Sequence, residues 1–153
     1  MFMKEIVDGK IRTCAVVIIN SAGDILGCHG TGKNPNKGYD FPKGCREEGE
    51  TDLMAAKREL SEETGIMLKL KENAELIDCG VYPHNKEKDI HIFIYRTDDF
   101  PDVSTLKCTT YFEKDGVNYP ENDNFMIIPK SERWRFNHVL QNKFDIIDKF
   151  NEE

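Results

Sequence analysis

A chain of 153 residues is long enough for one domain with its own core, and 39% hydrophobic with 32% charged residues is the balance of a soluble globular protein. Its formal charge of −7 excludes general affinity for nucleic acid, DNA included, through a basic surface, although a bound cation would reverse the sign locally. No apolar run approaches the roughly 18 residues that cross a membrane, and the N-terminal residues lack a signal-peptide pattern, so a cytoplasmic location is expected.

Residues 11–19 are apolar and β-branched and read as a largely buried strand. Asn20 to Asp24 carry turn chemistry, and residues 25–29 read as the returning strand of a hairpin. Residues 31–38 form a polar loop rich in breakers, whose Lys33 and Lys37 either solubilise it or contact phosphate. Residues 39–44 are a short extended piece in which Pro42 keeps Phe41 out of helical geometry.

A helix follows. Thr51 is a good N-cap, Asp52 suits the positive helix start, and Gly65 is a natural stop. At roughly 100° per residue, Glu59, Glu62 and Glu63 share an arc of about 100°, beside the core-facing arc of Leu53, Ala56 and Leu60. Three like charges at this spacing repel, and a hard divalent cation held through carboxylate oxygens is the natural way to offset them. The alternative is a solvated acidic face, which is what most charge runs are.

Beyond the helix, residues 67–70 read as a brief strand, and residues 75–82 and 89–96 as two more joined by a loop at 83–86. Residues 97–124 are the least readable: 105–112 suggest a strand, with loops at 98–104 and 113–124. A short strand at 125–128 precedes a C-terminal helix announced by Pro129 and Ser131, with Phe136, Leu140, Phe144, Ile147 and Phe150 at helical spacing. Strands and helices in this order describe one α/β layered domain over residues 1–153. The five cysteines are odd in number and show no C-x-x-C spacing, which argues against a zinc knot or disulfide framework. Most read as small core residues; Cys45 alone falls in the glycine loop before the helix, where a role at a site is open to it.

The spacing from Gly44 to Ile66, G-x5-E-x7-R-E-U-x-E-E-x-G-U with U a bulky aliphatic, resembles the signature box of the Nudix hydrolases without a departure. Seven fixed letters at roughly 6% each recur by chance about once in 10⁸ to 10⁹ registers. The resemblance implies the Nudix fold, an α/β/α sandwich around a mixed β-sheet, and hydrolysis of a pyrophosphate bond with Mg²⁺, or Mn²⁺ in its place. It implies metal ligation by Glu59, Glu62, Glu63 and the backbone carbonyl of Lys43. Glu59 is the box residue suited to act as base or ligand. Glu121 is its leading rival as base, with Asp123 and Glu113 behind. Arg58, four residues before Glu62, aims carboxylates, and Glu50 faces the helix start and pairs with Arg58.

The substrate is less defined. The lead-in Phe41-Pro42-Lys43-Gly44 resembles the branch acting on dinucleoside polyphosphates or the 5′ end of RNA, where a tyrosine commonly follows the box at about the distance of Tyr82. ADP-ribose hydrolases place a proline near this point, and Pro83 is adjacent. ADP-ribose or FAD hydrolysis, nucleoside triphosphate hydrolysis, and a non-catalytic nucleotide-binding module are the alternatives. Tyr39, Tyr82 and Tyr119 are candidates to stack on a base, and Lys43, Arg46, Lys86 and His84 to reach phosphate. The expected partner is a nucleotide-type small molecule or an RNA 5′ end, not a membrane, for a monomer or homodimer.

Overall fold

The computed structural model describes residues 4–68 and 76–153. Strands β1 (Ile6–Val7), β2 (Lys10–Ile19), β3 (Ile25–Gly30), β4 (Tyr39–Asp40) and β5 (Lys43–Cys45) precede helix α1 (Asp52–Thr64). Strands β6 (Leu76–Pro83), β7 (Lys88–Arg96), β8 (Tyr111–Lys114), β9 (Val117–Pro120) and β10 (Asn122–Ile128) follow, and helix α2 (Phe144–Asn151) closes the chain. The main path of the sheet runs β10-β3-β2-β7-β6; off that path β1 and β5 pair with β2, and β4 with β3. The sheet is mixed, because β2 runs parallel to β7 over nine registered pairs from Ile11↔Lys88 to Ile19↔Arg96, while its other pairings are antiparallel.

Strand β2 shows why layers form on both faces. Ala15, Val17 and Ile19 point into one core with Phe136, Leu140, Phe144 and Ile147. Cys14, Val16 and Ile18 point into the other with Ala55, Ala56 and Leu60 of α1. Alternation along one fully apolar strand thus feeds two cores, as burial on both faces requires. This is the expected α/β/α sandwich.

Strand β3 leaves β2 after a single pair, Ile19↔Ile25, and spends its length on β10 and β4. The expected hairpin is therefore a fork. Its gap is filled by β5, which lies on β2 at Thr13↔Cys45, Cys14↔Gly44 and Ala15↔Lys43. The glycine loop is thereby sewn to the central strand.

Three expectations need correction. Residues 113–124 are not loop: Asp115 (φ 53°) and Gly116 (φ 78°) make the two-residue turn of a β8–β9 hairpin, and β10 begins at Asn122. The C-terminal apolar stripe is buried but not on one helix. It runs through 3₁₀ turns at Lys130–Arg135 and His138–Lys143 before α2, and is broken at Phe136, which is extended (ψ 150°) and bridged to Tyr39. Met67 and Leu68 carry no strand, and the rest of the segment expected at 67–70 lies outside the described residues, as does Glu75.

The start of α1 is tied to the sheet by charge. Asp52 Oδ2 accepts from Arg12 Nη1 at 2.5 Å and lies 2.6 Å from His91 Nδ1, and its Oδ1 accepts from Arg46 Nη1 at 2.7 Å. His91 also reaches Asp78 at 2.6 Å. Burial alone would raise the Asp52 pKa; hydrogen bonds from His91, Arg46 and Arg12 outweigh it and hold the carboxyl at about 2. A depressed acid stabilises the fold above its unfolded pKa of about 4 and loses that contribution as pH falls towards 2. Asp52→Asn is expected to cost about 3–5 kcal/mol in urea unfolding at pH 7, because the arginines keep their charge without its partner. The gap from wild type should close when the titration is repeated near pH 2.

No helix among the described residues is long and apolar enough to cross a membrane. All five cysteines are free thiols, four of them buried, and burial pushes Cys14 and Cys79 up to about 12.

Candidate active site

Helix α1 is built as its sequence implies. Thr51 caps it, its side chain accepting from Met54 N–H at 3.1 Å, and Gly65 (φ 81°) ends it by donating to Ser61 O. That frame places Glu59, Glu62 and Glu63 on one ridge against β5.

The register of β5 orients its backbone. Val16 N–H donates to Pro42 O at 3.1 Å and Arg46 N–H to Arg12 O at 2.8 Å, so the ladder bonds fall on residues 42, 44 and 46. The backbone groups of Lys43 and Cys45 therefore turn away from β2. Lys43 N–H meets Glu63 Oε1 at 3.4 Å, and Cys45 O accepts from Arg58 Nη2 at 3.0 Å. Between them Gly44 lies against Glu59: a Cβ there would stand 2.0 Å from Glu59 Cδ. A side chain at this position would push the Glu59 carboxylate out of its place.

Arg58 is the hub of the acids. It holds Glu50 through two bonds (Nε to Oε2 at 2.7 Å, Nη2 to Oε1 at 3.0 Å) and donates from Nη1 to Glu59 at 2.8 Å and Glu62 at 3.1 Å. The bidentate bond from Arg58 lowers the Glu50 pKa, and Glu50 raises that of Arg58. The sequence-based pairing of Glu50 with Arg58 is what the geometry has.

The deeper carboxylates behave differently. Burial pushes Glu59 up to about 7 against the pull of Arg58. Glu63, 8% exposed, is pushed up to about 8 by burial and by the charge of Glu59, although Asn122 Nδ2 donates to its Oε1 at 3.2 Å. Both are largely withdrawn from water and close enough for the charge of Glu59 to act on Glu63.

A cleft of about 410 Å³ opens beside Glu63, with Lys43, Lys33, Glu121 and Asn122 on its wall. The Lys43 ammonium sits 3.2 Å from Asp40, and Asn137 donates to the same Asp40 oxygen at 3.3 Å. Glu121, exposed, is carried here by backbone bonds of Thr31 N–H to its carbonyl and of its own N–H to Thr110 O.

The other sequence candidates fall elsewhere or are engaged. Arg46 is bound to Glu5 and Asp52, which leaves its guanidinium committed to structure. Tyr39 is a core residue 3% exposed, edge-on to His29. Tyr82 donates its hydroxyl to Cys79 O and packs on the core of the α2 side. Asp123 pairs with His29 at 2.5 Å, and Glu113 stands exposed on the hairpin. His84 is pushed down to about 4 by burial and then by the charge of Lys43, and its Nδ1 is buried with no hydrogen-bond partner. Lys86 is exposed in the β6–β7 loop. Sequence reasoning missed Asn122, Asp40, Asn137 and Phe112, all on the cleft wall. Only Phe112 had a signal, the Asp115-Gly116 turn that marks its hairpin.

The donor set fits a hard divalent cation in kind: carboxylates of Glu59, Glu62 and Glu63, and a Lys43 carbonyl turned off its ladder. Arg58 holds two of those carboxylates, and among the described residues no three acidic, histidine or cysteine side chains already converge as a metal cage. Two desolvated carboxylates are what an incoming cation would stabilise.

Comparison with known proteins gives the family and the fold. A protein of Enterobacteria phage T4, described as an uncharacterized 17.7 kDa protein in the e-segB intergenic region, is 35% identical over 118 residues, 74% of this chain and 75% of the relative. The NUDIX domain of Shewanella oneidensis NrtR, complexed with ADP ribose, superposes with a TM-score of 0.66 at 9% identity, covering 94% of this chain and 90% of that one. A C. elegans Ap4A hydrolase in a binary complex gives 0.57 at 15% identity, covering 92% and 96%. The NUDIX domain family model matches residues 9–121, most of the chain and all of the helix, glycine loop and cleft acids just described, and the chain belongs to the Nudix hydrolase family.

Proposed function

We propose that this hydrolase splits a pyrophosphate bond in a nucleoside diphosphate linked to a second large group, with a dinucleoside polyphosphate the leading substrate. The observation that carries it is the buried Glu63 opening on a cleft with Lys43 and Lys33, next to a half-buried Glu59 that lies against the side-chain-free Gly44. Anionic phosphates entering that cleft meet ammonium groups first and carboxylates behind them. Mg²⁺ or Mn²⁺, held by Glu59, Glu62, Glu63 and the Lys43 carbonyl, would supply neutralisation of phosphate charge.

The chain's own groups do the rest. The proton of the attacking water goes to Glu59, where it is not ligating the cation, or to Glu121, which lines the cleft beside Glu63. Asn122 and the Lys43 N–H orient Glu63, and Arg58 fixes Glu59 and Glu62. Ap4A and ADP ribose, the compounds named with the two structural neighbours, both carry bulky groups on either side of a polyphosphate, which supports a two-sided substrate here. The free thiols suit a cytoplasmic setting.

The test is a panel of diadenosine polyphosphates, ADP-ribose, FAD, nucleoside triphosphates and 5′-triphosphorylated RNA, with products read by mass spectrometry. With Mg²⁺ a diadenosine polyphosphate is expected to be cleaved fastest, and a chelator should lower the rate at least about 100-fold. Faster cleavage of ADP-ribose would move the substrate assignment. Nucleotide binding without turnover under Mg²⁺ or Mn²⁺ would make the domain a binding module and sink the reading.

A further inference from the structure

The β8–β9 hairpin spends large apolar side chains on the surface. Tyr111, Phe112, Val117 and Tyr119 are 37–55% exposed, and every residue of both strands except Pro120 is classed with the exposed surface. A cross-strand aromatic pair adds at most about 1 kcal/mol to a two-stranded hairpin, so this much exposed apolar surface packed on no core calls for a further reason.

Their arrangement supplies one. The pairings Phe112↔Tyr119 and Lys114↔Val117 put Phe112, Lys114, Val117 and Tyr119 on one face and leave Tyr111 on the other. The Phe112 and Tyr119 rings stack, with centroids 5.7 Å apart and planes at 30°. That face borders a depression of about 540 Å³ together with Thr31, Lys33 and Lys114. Phe112 and Lys33 also line the 410 Å³ cleft that holds Glu63 and Lys43. The two hollows thus share one wall, with an aromatic ring and an ammonium group at the junction.

We propose that this hairpin is a nucleobase platform, on which Phe112 stacks the base of the substrate's second nucleoside while its phosphates pass Lys33 towards Glu63. The assignment rests on the pyrophosphohydrolase reading above and names where the far half of the substrate lies. An aromatic face flanked by two lysines matches a flat base carried on a polyphosphate chain and does not demand one base over another. Backbone bonds join the hairpin's ends to the cleft: Thr31 N–H to Glu121 O, Glu121 N–H to Thr110 O, and the Thr31 hydroxyl to Pro120 O at 2.5 Å.

The test compares Phe112→Ala and Phe112→Tyr with wild type by calorimetric titration, Ca²⁺ replacing Mg²⁺. Diadenosine tetraphosphate is the two-base ligand and ATP the single-base control. Phe112→Ala is expected to weaken diadenosine tetraphosphate about tenfold, to leave ATP within about twofold, and to melt with wild type; Phe112→Tyr restores affinity. In turnover, KM rises about tenfold while kcat stays within about twofold, as for lost ground-state binding. Equal weakening of both ligands, or of neither, overturns the platform while leaving hydrolysis intact. A wild-type protein that neither binds nor cleaves any nucleotide sinks both readings.

Discussion

Glu63→Gln is expected to lower turnover by about three orders of magnitude, equivalent to about 4 kcal/mol of transition-state stabilisation, while the protein stays folded. Gln matches Glu in size and keeps a carbonyl oxygen to accept from Asn122 and from the Lys43 N–H. What it loses is the charge, and charge is what Glu63 would offer a divalent cation in the cleft. Stability should move the other way. An acid raised from its ordinary value to about 8 favours folding most below pH 4.5, and that advantage is lost as pH rises through 8. In metal-free buffer the variant should therefore melt at or above wild type at pH 8, and the difference should shrink at pH 5. Single-turnover assays and magnesium titration check the first half, and differential scanning calorimetry the second. A variant that turns over like wild type would remove Glu63 from the chemistry.

Gly44→Ala carries the second-largest expected effect. The added methyl would lie 2.0 Å from Glu59 Cδ and about as close to both carboxylate oxygens, at 2.2 and 2.3 Å. Glu59 has little room to retreat, because Arg58 holds it on one side and β5 is registered on β2 behind the loop. Overpacking of this kind costs about 1–3 kcal/mol, and a displacement near 1 Å at a reacting group costs about 100-fold in rate. Loss of at least about 100-fold in kcat is expected, with a melting temperature lowered by several degrees. Glu59→Gln supplies the control: if the methyl acts by moving Glu59, the double variant should be little worse than either single one. Additive losses would show that Gly44 serves the loop and not the carboxylate.

The parts of the molecule legible in the sequence are those governed by short-range rules. Thr51, Gly65 and the glutamate ridge follow from helix periodicity and capping, and the strand at 11–19 follows from unbroken burial. The Arg58–Glu50 pair follows from charge and the loop's proximity to the helix start. The pieces that escaped depend on contacts between distant residues. Phe136 sits at helical spacing with Leu140, yet a backbone bridge to Tyr39 straightens it, and nothing near residue 136 announces that bond. Arg46 reads as a phosphate ligand until Asp52 and Glu5 are seen to hold it. Asn122, between two acids that drew the attention, is the residue that reaches Glu63. The β8–β9 hairpin is different, since its Asp-Gly turn was in plain view among polar residues.

The fork between β2 and β3 separates what is fastened from what is free to vary. The glycine loop is paired to the central strand and the carboxylates stand on the helix packed against it, whereas the hairpin from Tyr111 to Pro120 lies beyond the other arm with a sheet of its own. Its length, tip and aromatic content can drift over generations without re-registering a single strand of the main sheet. On the proposed platform, a lineage could exchange the far half of what it digests while inheriting the scissors unchanged.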